Sequence, residues 1–174
     1  MIESNRKFTI GKLEIRKFTI SDYLYLLGFS ISVSYYLYAV TYNTEKNFIL
    51  SFFISWFVGF QTISSPFGLR FRNIYFSLIW LFFSSIFLIE NNWLGYIPIS
   101  TFILYHVMRI IFWKKYNKEF IPYQTGRGSM FRHKSFFEGR SGGLKDKKFT
   151  KILLFAGILI ILFCFIQMIR AKTS

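Results

Sequence analysis

Apolar residues gather along this chain in five long runs separated by short polar breaks. A hydrocarbon layer of roughly 30 Å takes about 20 helical residues at about 1.5 Å each, and the runs meet or approach that length. The first extends from Tyr23 to Val40 and opens on Ser21-Asp22, an N-cap and first-turn pair. The second, Phe48 to Ser64, is a little short and closes on Pro66 and Gly68. The third, Ile74 to Ile89, is also short, with Tyr75 and Trp93 placed to extend it into the interfaces, where amphipathic rings are favoured. The fourth runs from Trp93 to Trp113, with Pro98 near its start, where a missing N–H costs little. The fifth, Ile152 to Ile169, lies between Lys147, Lys148 and Lys151 on one flank and Arg170 and Lys172 on the other. The pattern predicts an all-α integral membrane protein, a five-helix transmembrane bundle.

Charge then orients the spans, because Lys and Arg near span ends resist translocation. Five bases in residues 1–20, Arg70 and Arg72 after the second run, and eleven from Lys114 to Lys151 fall on one side of a five-span chain. Lys46, Arg170 and Lys172 fall on the other, and Arg109 lies inside a span. With 18 of 22 bases together, the expected orientation is N-in/C-out, in a bacterial inner (cytoplasmic) membrane. Four spans alone would leave the Ile152–Ile169 run without a place.

The chain accordingly divides into a basic N-terminal cytoplasmic arm (1–20), a four-span bundle (21–113), a basic cytoplasmic segment rich in Gly, Arg and aromatic residues (114–151), and the fifth span with a short tail (152–174). In the arm, Arg6-Lys7-Phe8-Thr9-Ile10 recurs as Arg16-Lys17-Phe18-Thr19-Ile20, and apolar residues alternate around Gly11-Lys12. Such alternation suits a short β-hairpin with a two-residue turn, or an extended arm on the lipid surface. The 114–151 segment carries Phe120, Tyr123, Phe131, Phe136 and Phe137, more apolar surface than flexible linkers usually hold. It is expected to fold in part against the membrane face or a partner.

Composition narrows the class further. With 53% hydrophobic and 17% charged residues, the chain has more apolar surface than one small soluble core can bury, and its net charge of +14 points to anionic lipid headgroups as partners. No soluble base-reading module is visible, so specific nucleic-acid binding is not expected. A single cysteine, Cys164, rules out a disulfide within one chain.

Two stretches have the makings of an anion or headgroup site: Gly126-Arg127-Gly128-Ser129 and Gly139-Arg140-Ser141-Gly142. In each, glycines let backbone N–H groups turn onto an anion while an arginine supplies charge. The competing reading is a pair of glycine turns in a basic loop that meets headgroups non-specifically. In the fourth span, His106 and Arg109 share a helix face. Arg109 lies about 7–8 Å along the axis from Lys114 and can snorkel to the interface. His106, one turn deeper, is expected to be a neutral imidazole bonded to a neighbouring helix, with a proton relay or substrate contact as the alternative. The first span sets Ser30, Ser34 and Tyr38 along one line and Gly28, Ser32, Tyr35 and Ala39 along another. Close helix packing is the favoured use of both lines, and a hydrophilic path the other.

Carboxylates are nearly confined to span ends and loops: Asp22, Glu45, Glu90, Glu119, Glu138 and Asp146. Acid–base pairs and metal sites need such groups, so no enzyme activity, cofactor or metal is expected. The residues point first to a non-catalytic subunit of a larger membrane complex (transport, secretion or energy-transducing), docking through its basic segment on other membrane-protein subunits. The alternatives are a self-associating channel or transporter and, below that, a membrane enzyme acting on a phosphorylated or lipid substrate.

Overall fold

The structure, a computed structural model, describes residues 9–10, 13–15, 17–42, 45–63, 70–89, 92–122 and 143–173. Five α-helices account for most of them: α1 (Ile20–Thr41), α2 (Glu45–Ile63), α3 (Ile74–Ile86), α4 (Tyr96–Tyr116) and α5 (Leu144–Thr173). Short 3-10 turns, Arg70–Arg72 and Trp93–Gly95, lead into α3 and α4. Residues Thr9–Ile10 and Leu13–Glu14 pair antiparallel with Ile10 opposite Leu13, two residues on each side, while Gly11 and Lys12 lie outside the described residues.

Three of the helices, α1, α3 and α5, start where a side chain satisfies a free N–H group of the first turn. The first helix begins earlier than the apolar run suggests. Thr19, not Ser21, is its N-cap, and Asp22 at the third helical position closes a capping box with it. Ser21 is already helical and accepts a hydrogen bond from Arg70. The Asn73 side chain accepts the Tyr75 N–H at 3.1 Å and so starts α3. The fourth helix ends where Asn117 turns left-handed at φ 47°, a conformation asparagine adopts more easily than most residues.

The largest departure from the apolar pattern is at α5. The hydrophobic run starts at Ile152, yet the helix starts two turns earlier at Leu144, inside the basic segment. Asp146 explains it. One carboxylate oxygen accepts the Gly143 N–H at 2.9 Å, capping the helix start, and the other accepts the Ile121 N–H at 3.0 Å. Local capping therefore overrides the run of lysines.

Among the described residues, three helices are long and apolar enough to cross a membrane: Ile20–Thr41, Trp93–Tyr116 and Leu144–Ala171. The apolar parts of α2 and α3 are shorter. α2 is the hub, packed against α1, α4 and α5, while α3 packs on α1 and α4. The close approaches are built with small residues on α2 and α5. A Cβ on Gly59 would run into Ile97 of α4 and touch Thr101, and one on Gly157 would run into Ile63 at the end of α2. Small residues at such crossings let backbones approach without a polar driving force.

Aromatic rings fill the space between the helices. Phe29, Phe71, Phe76, Trp80, Phe87, Phe102, Tyr105 and Phe112 belong to one buried cluster. The outward faces are apolar as well. Phe155 on α5 is 66% exposed and Phe82 on α3 is 65% exposed, and Ile158, Leu162 and Ile166 continue the outer face of α5. A surface of this kind is at home in hydrocarbon, not water.

Candidate functional site at the basic end

The chain alternates direction, so the start of α1, the turn before α3, the end of α4 and the start of α5 meet at one end of the bundle. Side-chain pairs record the meeting. Asp22 faces Arg70 at 3.3 Å, and the Arg70 guanidinium also covers the Tyr25 ring at 4.1 Å. Arg72, two residues on, pairs with Glu119 from the segment after α4. Glu119 is followed by Phe120 and Ile121, both buried, and the Phe120 ring packs on Phe112 and Phe149. Docking of the basic segment thus begins with these residues, and Asp146 holds the Ile121 backbone in place.

Asp22, Glu119 and Asp146 are each at most 4% exposed. Lysines at the same end, Lys114, Lys115, Lys118, Lys145, Lys147, Lys148 and Lys151, are exposed, with Lys145 lying over the Tyr116 ring at 4.7 Å. The acids turn inward to arginines and helix caps, and the bases turn outward. The face presented at this end is strongly positive, the electrostatic counterpart of an anionic lipid surface or an acidic partner.

Beneath this layer, the Phe71 ring inserts from the 3-10 turn and meets Phe102, Tyr105 and His106 of α4. His106 lies edge-on to Phe102 with ring centroids 4.5 Å apart and to Tyr105 at 5.6 Å. The expected hydrogen bond from His106 to a neighbouring helix is not what places this ring. Among the described residues, its Nε2 has no hydrogen-bond partner, and neither has Arg109 Nη1. Ring packing holds His106 where hydrogen bonding was expected to.

The hydroxyl lines of α1 fall elsewhere. The packed face of that helix is Phe29, Val33, Tyr36 and Ala39, so only Ala39 of the two small-residue lines is inside. Ser34 donates to the Ser30 carbonyl at 3.0 Å and Ser32 to the Gly28 carbonyl at 2.9 Å, each within its own helix. A Cβ on Gly28 would meet nothing within 4 Å. Within the bundle, the close packing expected of these lines is confined to Ala39. Ser34, Tyr35 and Tyr38 instead border a shallow outward cleft of about 270 Å³.

Gly126, Arg127, Gly128, Ser129, Gly139, Arg140 and Ser141, with Tyr123, Phe131, Phe136 and Phe137, lie outside the described residues. What the sequence reading missed is that the acids tie separate segments together, Asp22 to Arg70, Glu119 to Arg72 and Asp146 to Ile121. Asp22, Glu119 and Asp146 each stand at a helix boundary beside a surplus of bases, and that placement was the available signal. No family model matches the chain, and no curated protein and no solved structure is significantly similar to it.

Proposed function

We propose that the chain is a non-catalytic subunit of a larger membrane assembly, crossing the bilayer five times in N-in/C-out orientation and docking through its basic end. The observation that carries the reading is the outward face of α1. Tyr35 and Tyr38 are each more than half exposed there, beside Ser34, along a cleft in the middle and far half of a membrane-crossing helix. Tyr38 lies within one turn of the helix end, at the interfacial belt, whereas Ser34 and Tyr35 lie about 9–10 Å inside it, where a hydroxyl-bearing ring suits a protein neighbour better than acyl chains. In the same reading, the positive end displays Lys114 to Lys118 and Lys145 to Lys151 to anionic headgroups and to acidic surfaces of partner subunits. The N-terminal arm lies across that surface as a short hairpin.

Rings such as Phe71, Phe102 and Tyr105 occupy the space a water path through one chain would need, so a channel would have to form between copies. A photo-crosslinking side chain at Tyr38, in native membranes, should capture a different membrane protein. Purification in mild detergent should bring the same protein along. A solitary monomer, with Tyr38 crosslinked only to lipid, would refute the subunit reading. Flux through reconstituted vesicles that disappears in Ser34→Leu would favour the self-associating channel instead.

A further inference from the structure

Between α1, α2 and α3, on the half of the bundle nearest the basic end, the structure holds a side groove of about 190 Å³. Its walls include Leu24, Gly28 and Ser32 of α1, Phe57 and Gln61 of α2, and Trp80 of α3. We infer that this groove seats one acyl chain of an anionic phospholipid, whose headgroup rests over the basic end.

The volume is below the roughly 300–1,000 Å³ of a site that encloses a compact ligand. An extended chain lying along a helix needs no enclosure. The groove is open to the side, where Leu24 and Phe57 are exposed, so a neighbouring lipid reaches it without entering the protein. Gly28 keeps it open. Whereas Gly59, Gly95 and Gly157 each abut another element, a side chain at Gly28 would project into unoccupied space. A glycine costs about 1 kcal/mol of helix propensity relative to alanine, and here no protein contact explains it.

The direction of the groove selects the headgroup. Gln61 is two residues from the end of α2, at the depth where a lipid's ester groups lie, and Ser32 is about 18 Å along α1 from Ile20. Tyr25, also in the wall, lies under the Arg70 guanidinium. The mouth of the groove therefore opens at the positive end of the bundle, where exposed Lys17 precedes α1 and Arg70 is already paired with Asp22, and the net positive charge of that end favours a phosphodiester without a balancing ammonium. This inference depends on membrane embedding but not on the subunit reading.

The test uses the full chain reconstituted from vesicles of phosphatidylglycerol and phosphatidylcholine in equal amounts, re-extracted in mild detergent and examined by native mass spectrometry. The wild-type chain should retain about one lipid, with the glycerol headgroup enriched about tenfold. Gly28→Leu, which fills the groove, should lose that lipid with a melting temperature no lower than the parent's, while Leu27→Phe on the open face should keep it. A Gly28→Leu protein that keeps its lipid, or equal retention of the two headgroups, would overturn the assignment. So would a Gly28→Leu chain that loses a protein partner while its lipid stays. As a second reading in an unaltered groove, phosphatidylglycerol with brominated acyl chains should quench Trp80 more than its phosphatidylcholine counterpart, in a chain with Trp56, Trp93 and Trp113 changed to Phe. Equal quenching by both overturns the proposal independently of any groove-filling variant.

Discussion

Asp22 faces Arg70 at 3.3 Å through one carboxylate oxygen while the other accepts the Thr19 N–H at 2.8 Å. The same acid therefore begins α1 and fastens it to the turn before α3. Removing one partner of a nearly buried pair leaves the other charge uncompensated. Asp22→Asn should lower stability by about 2–4 kcal/mol, less than full burial would give because Arg70 is partly solvated. In a double-mutant cycle with Arg70→Gln, monitored by denaturant unfolding in detergent, a coupling above about 1 kcal/mol is expected. Additive effects would mean the pair contributes nothing specific.

Arg72 and Glu119 form a second, deeper pair, which makes a different prediction. Desolvating both charges offsets much of their attraction, so the pair is costly to break but cheap to replace. Glu119→Gln alone should destabilise by about 3 kcal/mol, and adding Arg72→Met should recover at least about half of that. Thermal unfolding of the three variants beside the parent chain would show whether recovery occurs.

The two carboxylate oxygens of Asp146 hold two backbone N–H groups from separate segments. Asp146→Ala should cost about 1–2 kcal/mol, typical of a lost cap with a second bond attached. The sharper readout is hydrogen exchange. Amides of Gly143 and Ile121 should exchange faster while those near Gly157 keep their protection.

Glycines rank themselves by what a side chain would meet. At Gly95 a Cβ would collide with the Phe87 backbone carbonyl, which cannot swing away. Gly95→Ala should therefore destabilise by about 2 kcal/mol or more, Gly59→Ala by less because Ile97 can shift, and Gly28→Ala should be neutral or stabilising. Melting temperatures in one detergent would test the order.

Orientation is open to direct labelling. In a Cys164→Ala chain, Lys118→Cys and Arg170→Cys occupy exposed positions near opposite ends of the bundle. With N-in/C-out insertion, a membrane-impermeant maleimide applied to intact cells should modify position 170 and leave position 118 until the cells are opened. The reverse pattern would invert the proposed topology.

Much of the bundle was legible because hydrophobic run length is a long-range average, insensitive to single residues. The run Tyr23–Val40 lies within a helix that forms, Trp93–Trp113 is a 3-10 turn continued by one, and Phe48 and Ile74 lie within or at the start of theirs. Boundaries were less legible because single side chains set them. Thr19 rather than Ser21 caps α1, and Asp146 carries α5 back to Leu144 through a stretch that composition marks as loop. The candidate site was hidden for a related reason. Burial decides whether an acid among bases is solvated or is a tie, and nothing in the spacing of Asp22, Arg70, Arg72 and Glu119 reveals which partners meet. The lines on α1 misled because a small residue is equally suited to a tight crossing and to an open groove.

The helices differ greatly in length. The 13 residues of α3 reach about 20 Å, whereas the 30 residues of α5 reach about 45 Å. Set in a bilayer as proposed, the bundle would draw its two leaflets together beside α3 and require α5 to tilt. Lipid along Tyr75, Leu78 and Phe82 would then be stretched thin, a standing hydrophobic mismatch confined to one flank. Membrane thickness itself would become a variable to which this protein responds, settling in thinner regions and pulling short-chain lipids toward α3.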